Sequence, residues 1–132
     1  AADDFSTVEL SILGRDDHHI GTKLICKDVD GDGRADLLTS HQSLVVGDGG
    51  MAGTITLFHG SLNRFSGGTL EVAENADRVW KGDHGTIDWL GEQMFLGDFN
   101  EDGIGDVMAS GQNGIYLFSG SDWTSHSWTE DH

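Results

Sequence analysis

Two short acidic stretches carry the side chains of this sequence best suited to chemistry. The first reads Asp28-Val29-Asp30-Gly31-Asp32-Gly33-Arg34-Ala35-Asp36, and the second reads Asp98-Phe99-Asn100-Glu101-Asp102-Gly103-Ile104-Gly105-Asp106. Both place side-chain oxygens at positions 1, 3, 5 and 9 and a glycine at position 6. Calcium takes six to eight oxygen ligands in flexible geometry, and alternate residues of a tightly curved loop can point at one centre. Glycine at position 6 permits the sharp turn, after which the position-7 carbonyl of Arg34 or Ile104 can face the ion. The predicted ligands are therefore Asp28, Asp30, Asp32, Arg34 and Asp36 in one loop and Asp98, Asn100, Asp102, Ile104 and Asp106 in the other, with two Ca2+ per chain. Without a cation, the first stretch crowds four carboxylates into nine residues with nothing to offset their repulsion. Asn100 leaves the second loop with three formally negative ligands against four in the first, so its site is expected to be the weaker. Glu101, at an even position, is expected to face solvent. An EF-hand or dockerin loop shares positions 1, 3, 5 and 6 but needs an acid at position 12, where Thr39 and Ala109 stand.

The elements that must hold these loops repeat along the chain. Ile20-Gly21 and the residues to Ser40 lie over Leu90-Gly91 and the residues to Ser110 at a constant offset of 70 residues. GTITLFHGS (53–61) matches NGIYLFSGS (113–121), and VELSILG (8–14) matches ADRVWKG (76–82). Each unit thus offers four strands, with the acidic loop between the second and third. The organisation read from this is 1–14 as the outer strand of a preceding or partner blade, 15–75 as one repeat and 76–132 as the next. TLEVAENADRVW (69–80) is the best helical candidate, although its tail suits a strand equally well. Alternation puts Leu24 and Cys26 on one face of a strand, and the repeat sets Cys26 against Leu96, so Cys26 is expected to be a small buried hydrophobe.

The 132 residues include 20 glycines and no proline, and 7 Lys+Arg against 23 Asp+Glu give a formal charge of −16. Nucleic acid needs a basic face and is excluded as a partner. Docking on an anionic membrane is disfavoured too, and no apolar run reaches the roughly 18 residues of a spanning helix. The single cysteine forms no intrachain disulfide. Glycines between short Val-, Ile-, Leu-, Phe- and Thr-rich runs predict a mainly β chain.

In these residues the chain resembles the FG-GAP repeats of the integrin α-subunit β-propeller and of related bacterial surface proteins. The shared features are Ile20-Gly21 and Leu90-Gly91, the two DxDxDGxxD-like loops, and the strands ending in Gly60-Ser61 and Gly120-Ser121. Departures are the aliphatic Ile20 and Leu90 for a leading aromatic, and Asn100 for an acid. The resemblance implies an all-β chain of two four-stranded blades with calcium between strands one and two. A propeller needs about four to eight blades. Two blades therefore imply either a homo-oligomer, for example three copies giving six blades, or part of a longer propeller chain. The last blade is expected to lack its outer strand, which Val8 to Leu13 of another copy could supply. The function implied is a calcium-stabilised, non-catalytic module at the cell surface or outside the cell, with the periplasm as the alternative location, binding a protein or glycan partner. The alternatives are a lectin-like or accessory propeller domain of a secreted carbohydrate- or lipid-active enzyme, and a dockerin-like calcium scaffold module.

A second candidate cluster comprises Asp16, His18 and His19 with Asp83, His84 and Trp89. In a propeller these fall on the connections between blades, where ligands often bind. Asp/His clusters can hold zinc, but the spacing differs between the repeats and a solvated turn is the plainer reading. Trp89, Trp123 and Trp128 offer faces for stacking on sugar rings, while Trp80 and Trp89 stand at strand ends suited to wedging between blades. Nucleophile elbows, P-loops and zinc-protease motifs are absent from the sequence, so no catalytic residue is predicted.

Overall fold

A computed structural model describes residues 10–14, 19–41, 45–46, 50–51, 53–61, 65, 67–71, 75–82 and 89–121. These described residues form eleven strands. They are β1 (Leu10–Leu13), β2 (Ile20–Lys27), β3 (Asp36–His41), β4 (Val45–Val46), β5 (Gly50–Met51), β6 (Thr54–Phe58), β7 (Gly68–Glu71), β8 (Arg78–Lys81), β9 (Met94–Gly97), β10 (Asp106–Gly111) and β11 (Gly114–Phe118). The protein is all-β, as its glycine-punctuated runs predict, and among the described residues no sheet closes on itself. The helical candidate at 69–80 contributes its two ends to β7 and β8.

Two antiparallel sheets carry the repeat. The first has the order β2-β3-β6-β8, and the second has the order β11-β10-β9 among the described residues. The fourth strand of the first sheet is drawn from 76–82, so sheet and sequence repeat are offset by one strand. The described residues also form two smaller pairs, β1 with β7 in parallel and β4 with β5 antiparallel.

Strand alternation determines which residues meet between the main sheets. In the first sheet, Leu38 stands opposite both Ile25 and Leu57, and Ile55 stands opposite Trp80, so these share one face. In the second, Val107 stands between Leu96 and Phe118, and Ala109 between Met94 and Tyr116. The two faces pack into one core together with Val29 and Leu90. Each fully buried aliphatic side chain in it contributes roughly 1.5–3 kcal/mol. Trp80 wedges between the sheets, its ring centroid 5.8 Å from that of Phe118. A parallel bridge from Gly53 to Leu90 and a bond from Gly105 N to the Val29 carbonyl (3.1 Å) tie the layers together.

The packing is head to tail. By the 70-residue repeat Leu38 corresponds to Met108, which lies on the opposite face of its sheet from Val107 and Ala109. One face of the first sheet therefore packs on the other kind of face of the second. This overturns the expected burial of Cys26. Leu96, its repeat equivalent, faces the first sheet, whereas Cys26 lies on the face of β2 turned away from the second sheet and is exposed.

Candidate metal centres

Each acidic loop joins two antiparallel strands, β2 to β3 and β9 to β10, with no helix on either side. The loops wrap in the same way because their carboxylates accept bonds from their own backbone. In the first, Asp28 Oδ1 accepts from Gly31 N (2.8 Å) and Asp28 Oδ2 from Gly33 N (2.7 Å), Asp30 Oδ1 accepts from Asp32 N (3.0 Å), and Asp32 Oδ1 accepts from Arg34 N (2.8 Å). In the second, Asp98 accepts from Asp102 N (3.0 Å) and Gly103 N (2.8 Å), Asn100 Oδ1 from Asp102 N (3.1 Å), and Asp102 Oδ1 from Ile104 N (2.8 Å). The position-7 residues Arg34 and Ile104 are thus held by their N–H groups in the turn that carries their carbonyls.

Position 6 has φ of +87° at Gly33 and +85° at Gly103, the left-handed region where glycine is favoured. Position 4 has the same requirement: Gly31 sits at +80° and Glu101 at +59°. Glu101 is exposed, as expected from its position, but it carries a side chain in a conformation that costs roughly 1–2 kcal/mol.

The position-9 carboxylates lie at the base of the loops. Asp36 is 1% exposed and Asp106 is fully buried. Asp36 Oδ2 accepts from Val29 N (2.8 Å) and Oδ1 from Gly60 N (2.6 Å), while Asp106 Oδ2 accepts from Phe99 N (2.9 Å) and Oδ1 from Gly120 N (2.9 Å). Each staples the start of its loop to the Gly-Ser turn after the third strand. A Cβ on Gly60 would overlap the Ala35 carbonyl oxygen, and one on Gly120 the Gly105 carbonyl oxygen. Gly60→Ala and Gly120→Ala are each expected to cost about 1–3 kcal/mol, checked by the urea midpoint; an unmoved midpoint would refute the close approach.

The electrostatics differ from site to site. Hydrogen bonds, led by that from Gly33 N, hold the Asp28 carboxyl below the usual range. Burial pushes Asp30 up, aided by the neighbouring charges of Asp36 and Asp32, although the Asp32 N–H and His59 oppose the rise. Burial also acts to raise Asp106, but the N–H groups of Gly120, Phe99 and Asn100 and the Ser119 hydroxyl outweigh it and leave the carboxyl below its ordinary value.

The donor set fits a hard divalent cation. Two oxygens sharing one Ca2+ at about 2.4 Å can be at most roughly 5 Å apart. Asp28, Asp30 and Asp32 each offer an oxygen within 4.8 Å of the others, and Asp30, Asp36 and His59 form a second group of the same span. Among the described residues, the second loop forms no such group of three acidic or histidine side chains. His59 is the residue missed in the sequence: its Nδ1 lies 3.3 Å from Asp30 Oδ2 and 3.5 Å from Asp36 Oδ1. Its repeat equivalent, Ser119, lies within 3.5 Å of the Asn100 side-chain nitrogen. The available signal was the residue before each Gly-Ser, histidine beside the Asp30 loop and serine beside the Asn100 loop.

The other candidate cluster is only partly placed. His19 and Trp89 are exposed and have positive φ, +43° and +60°. Asp16, His18, Asp83 and His84 lie outside the described residues, as do Trp123 and Trp128. No protein-family model matches the chain, and a search of curated proteins finds no match.

Proposed function

We propose that this chain is a non-catalytic β-repeat module whose two acidic loops bind Ca2+ as structural ions, and that its main sheets are propeller blades of the FG-GAP type. The observation that carries the reading is the shared wrap of both loops, with the side-chain oxygens of positions 1, 3 and 5 drawn into the same backbone turns and a buried carboxylate at position 9. Head-to-tail stacking of the sheets supports the blade assignment, because a radial array places the same two kinds of face against each other at every junction. The ion's chemistry is charge neutralisation: it offsets the burial and the neighbouring charges that raise Asp30, and it adds its binding free energy to folding. Such a module suits partner binding, to a protein or a glycan, at the cell surface or outside the cell, where millimolar calcium fills weak sites.

Calorimetric titration of the metal-free protein with Ca2+ is expected to count two ions per chain in two phases. The second-loop site should be the weaker, and Asp98→Ala should delete only that phase. No heat from calcium in either loop would remove the proposal.

A further inference from the structure

We propose that the open edge of β11 is completed by strand β1 of a second copy of this chain. The inference rests on the stacked-sheet part of the reading above and not on metal binding.

β6 and β11 are repeat equivalents with different surroundings. β6 lies between β3 and β8 and is buried at every residue. β11 pairs with β10 alone among the described residues, leaving Ile115 73% and Leu117 52% exposed. The strand that completes β6 is β8, with Ile55 opposite Trp80 and Leu57 opposite Arg78. β1 is the repeat equivalent of β8, because VELSILG matches ADRVWKG. Transferring the β6–β8 register puts Ile12 opposite Ile115 and Leu10 opposite Leu117. Both exposed apolar residues of the edge thus receive an apolar cross-strand partner. Neither LSIL nor GIYLF carries a charge, so the edge lacks the charged residues that usually block such pairing.

In its own chain β1 is weakly held. Among the described residues it pairs in parallel with β7 alone, Leu10 faces Gly68, and Leu13, Thr69 and Glu71 are exposed. An isolated two-stranded sheet is marginal, and parallel pairing is slightly the weaker kind. Exchange for the β11 edge replaces that pair with a longer sheet.

The occupant is a second copy because the chain exposes both halves of its own internal interface. Phe95, Ile115 and Leu117 lie on the face equivalent to the partly buried Ile25 and the buried Ile55 and Leu57 of the first sheet. On the first sheet, Leu24 and Cys26 are exposed at the positions equivalent to Met94 and Leu96, which join the core. A copy that lends β1 brings its first sheet behind it, joined by residues 14–19, and continues the same stacking. A single added strand would fill the edge and leave the face uncovered, whereas a copy of this chain supplies both. The interface is heterologous, so it propagates until a ring closes.

The test uses the whole chain with Cys26→Ser, which removes the exposed native thiol. Ile12→Cys and Ile115→Cys are placed in separate chains, mixed and oxidised. A reducible two-chain product at least tenfold above the Ser11→Cys and Ile115→Cys mixture is expected, since Ser11 points to the opposite face. No excess over that control overturns the proposal, as does a double Ile12→Cys/Ile115→Cys variant that links only within single chains. Hydrogen exchange of Arg78–Lys81 separates the premises. Protection there with no cross-link refutes the exchange alone, whereas rapid exchange refutes the sheet register from which it was transferred.

Discussion

Adding calcium to the metal-free protein is expected to raise its melting temperature by about 10 °C for each site filled to a hundred times its dissociation constant. Such occupancy stabilises the folded state by about 2.7 kcal/mol per site, and for a chain of this size each kcal/mol moves the midpoint by roughly 4 °C. The first loop should give the larger share. It places a carboxylate at all four side-chain ligand positions where the second has three and Asn100, and its Asp30 is raised by burial and by the charges of Asp36 and Asp32. That raised carboxyl makes the metal-free fold lose stability as pH rises from the ordinary carboxylate value of 3.8 through the folded pKa of Asp30. Calcium should therefore stabilise more at neutral pH than at pH 4, where protons already relieve the crowding. Scanning calorimetry with and without chelator at both values checks this, and a melt indifferent to chelator at neutral pH would refute a structural role for the ion.

The second large effect is expected at the buried carboxylates, without any metal. Asp36→Asn and Asp106→Asn should each cost about 2–4 kcal/mol in the chelated protein. An amide turns an N–H₂ toward backbone N–H donors, so a charge-assisted bond is lost and a buried donor is left unmatched. For Asp106 the donors are Gly120 N on one oxygen and Phe99 N on the other. Asp32→Asn, at an exposed position whose Oδ1 accepts from Arg34 N, keeps an acceptor and should cost far less. The pH dependence has a definite sign. The Asp106 carboxyl is depressed when folded, so its stabilisation is present above 3.8 and lost as pH falls through the folded value. Asp106→Asn should flatten that acid limb in denaturant titrations, and an unchanged limb would show that the carboxylate contributes nothing.

Much of the candidate site was legible from local spacing. Loop curvature depends on short-range geometry: oxygens at alternate positions accept from backbone N–H groups two to five residues ahead, and position 6 needs a left-handed residue. The strands were legible for the same reason, since alternation and glycine punctuation act over a few residues. His59 was not. It reaches Asp30 only because β3 and β6 pair in a register that returns the chain beside the loop, and that register is a long-range property.

The amino-acid sequence by itself determined the two acidic turns, the strands that flank them and the repeat that relates them, because each follows from contacts between near neighbours. Tertiary structure alone decided which face of each strand is buried. Leu96 joins the core and its equivalent Cys26 is exposed, while β6 is covered on both faces and the similar β11 on one. Two nearly identical sheets stacked head to tail have one junction between them, so like residues in the two repeats meet unlike surroundings.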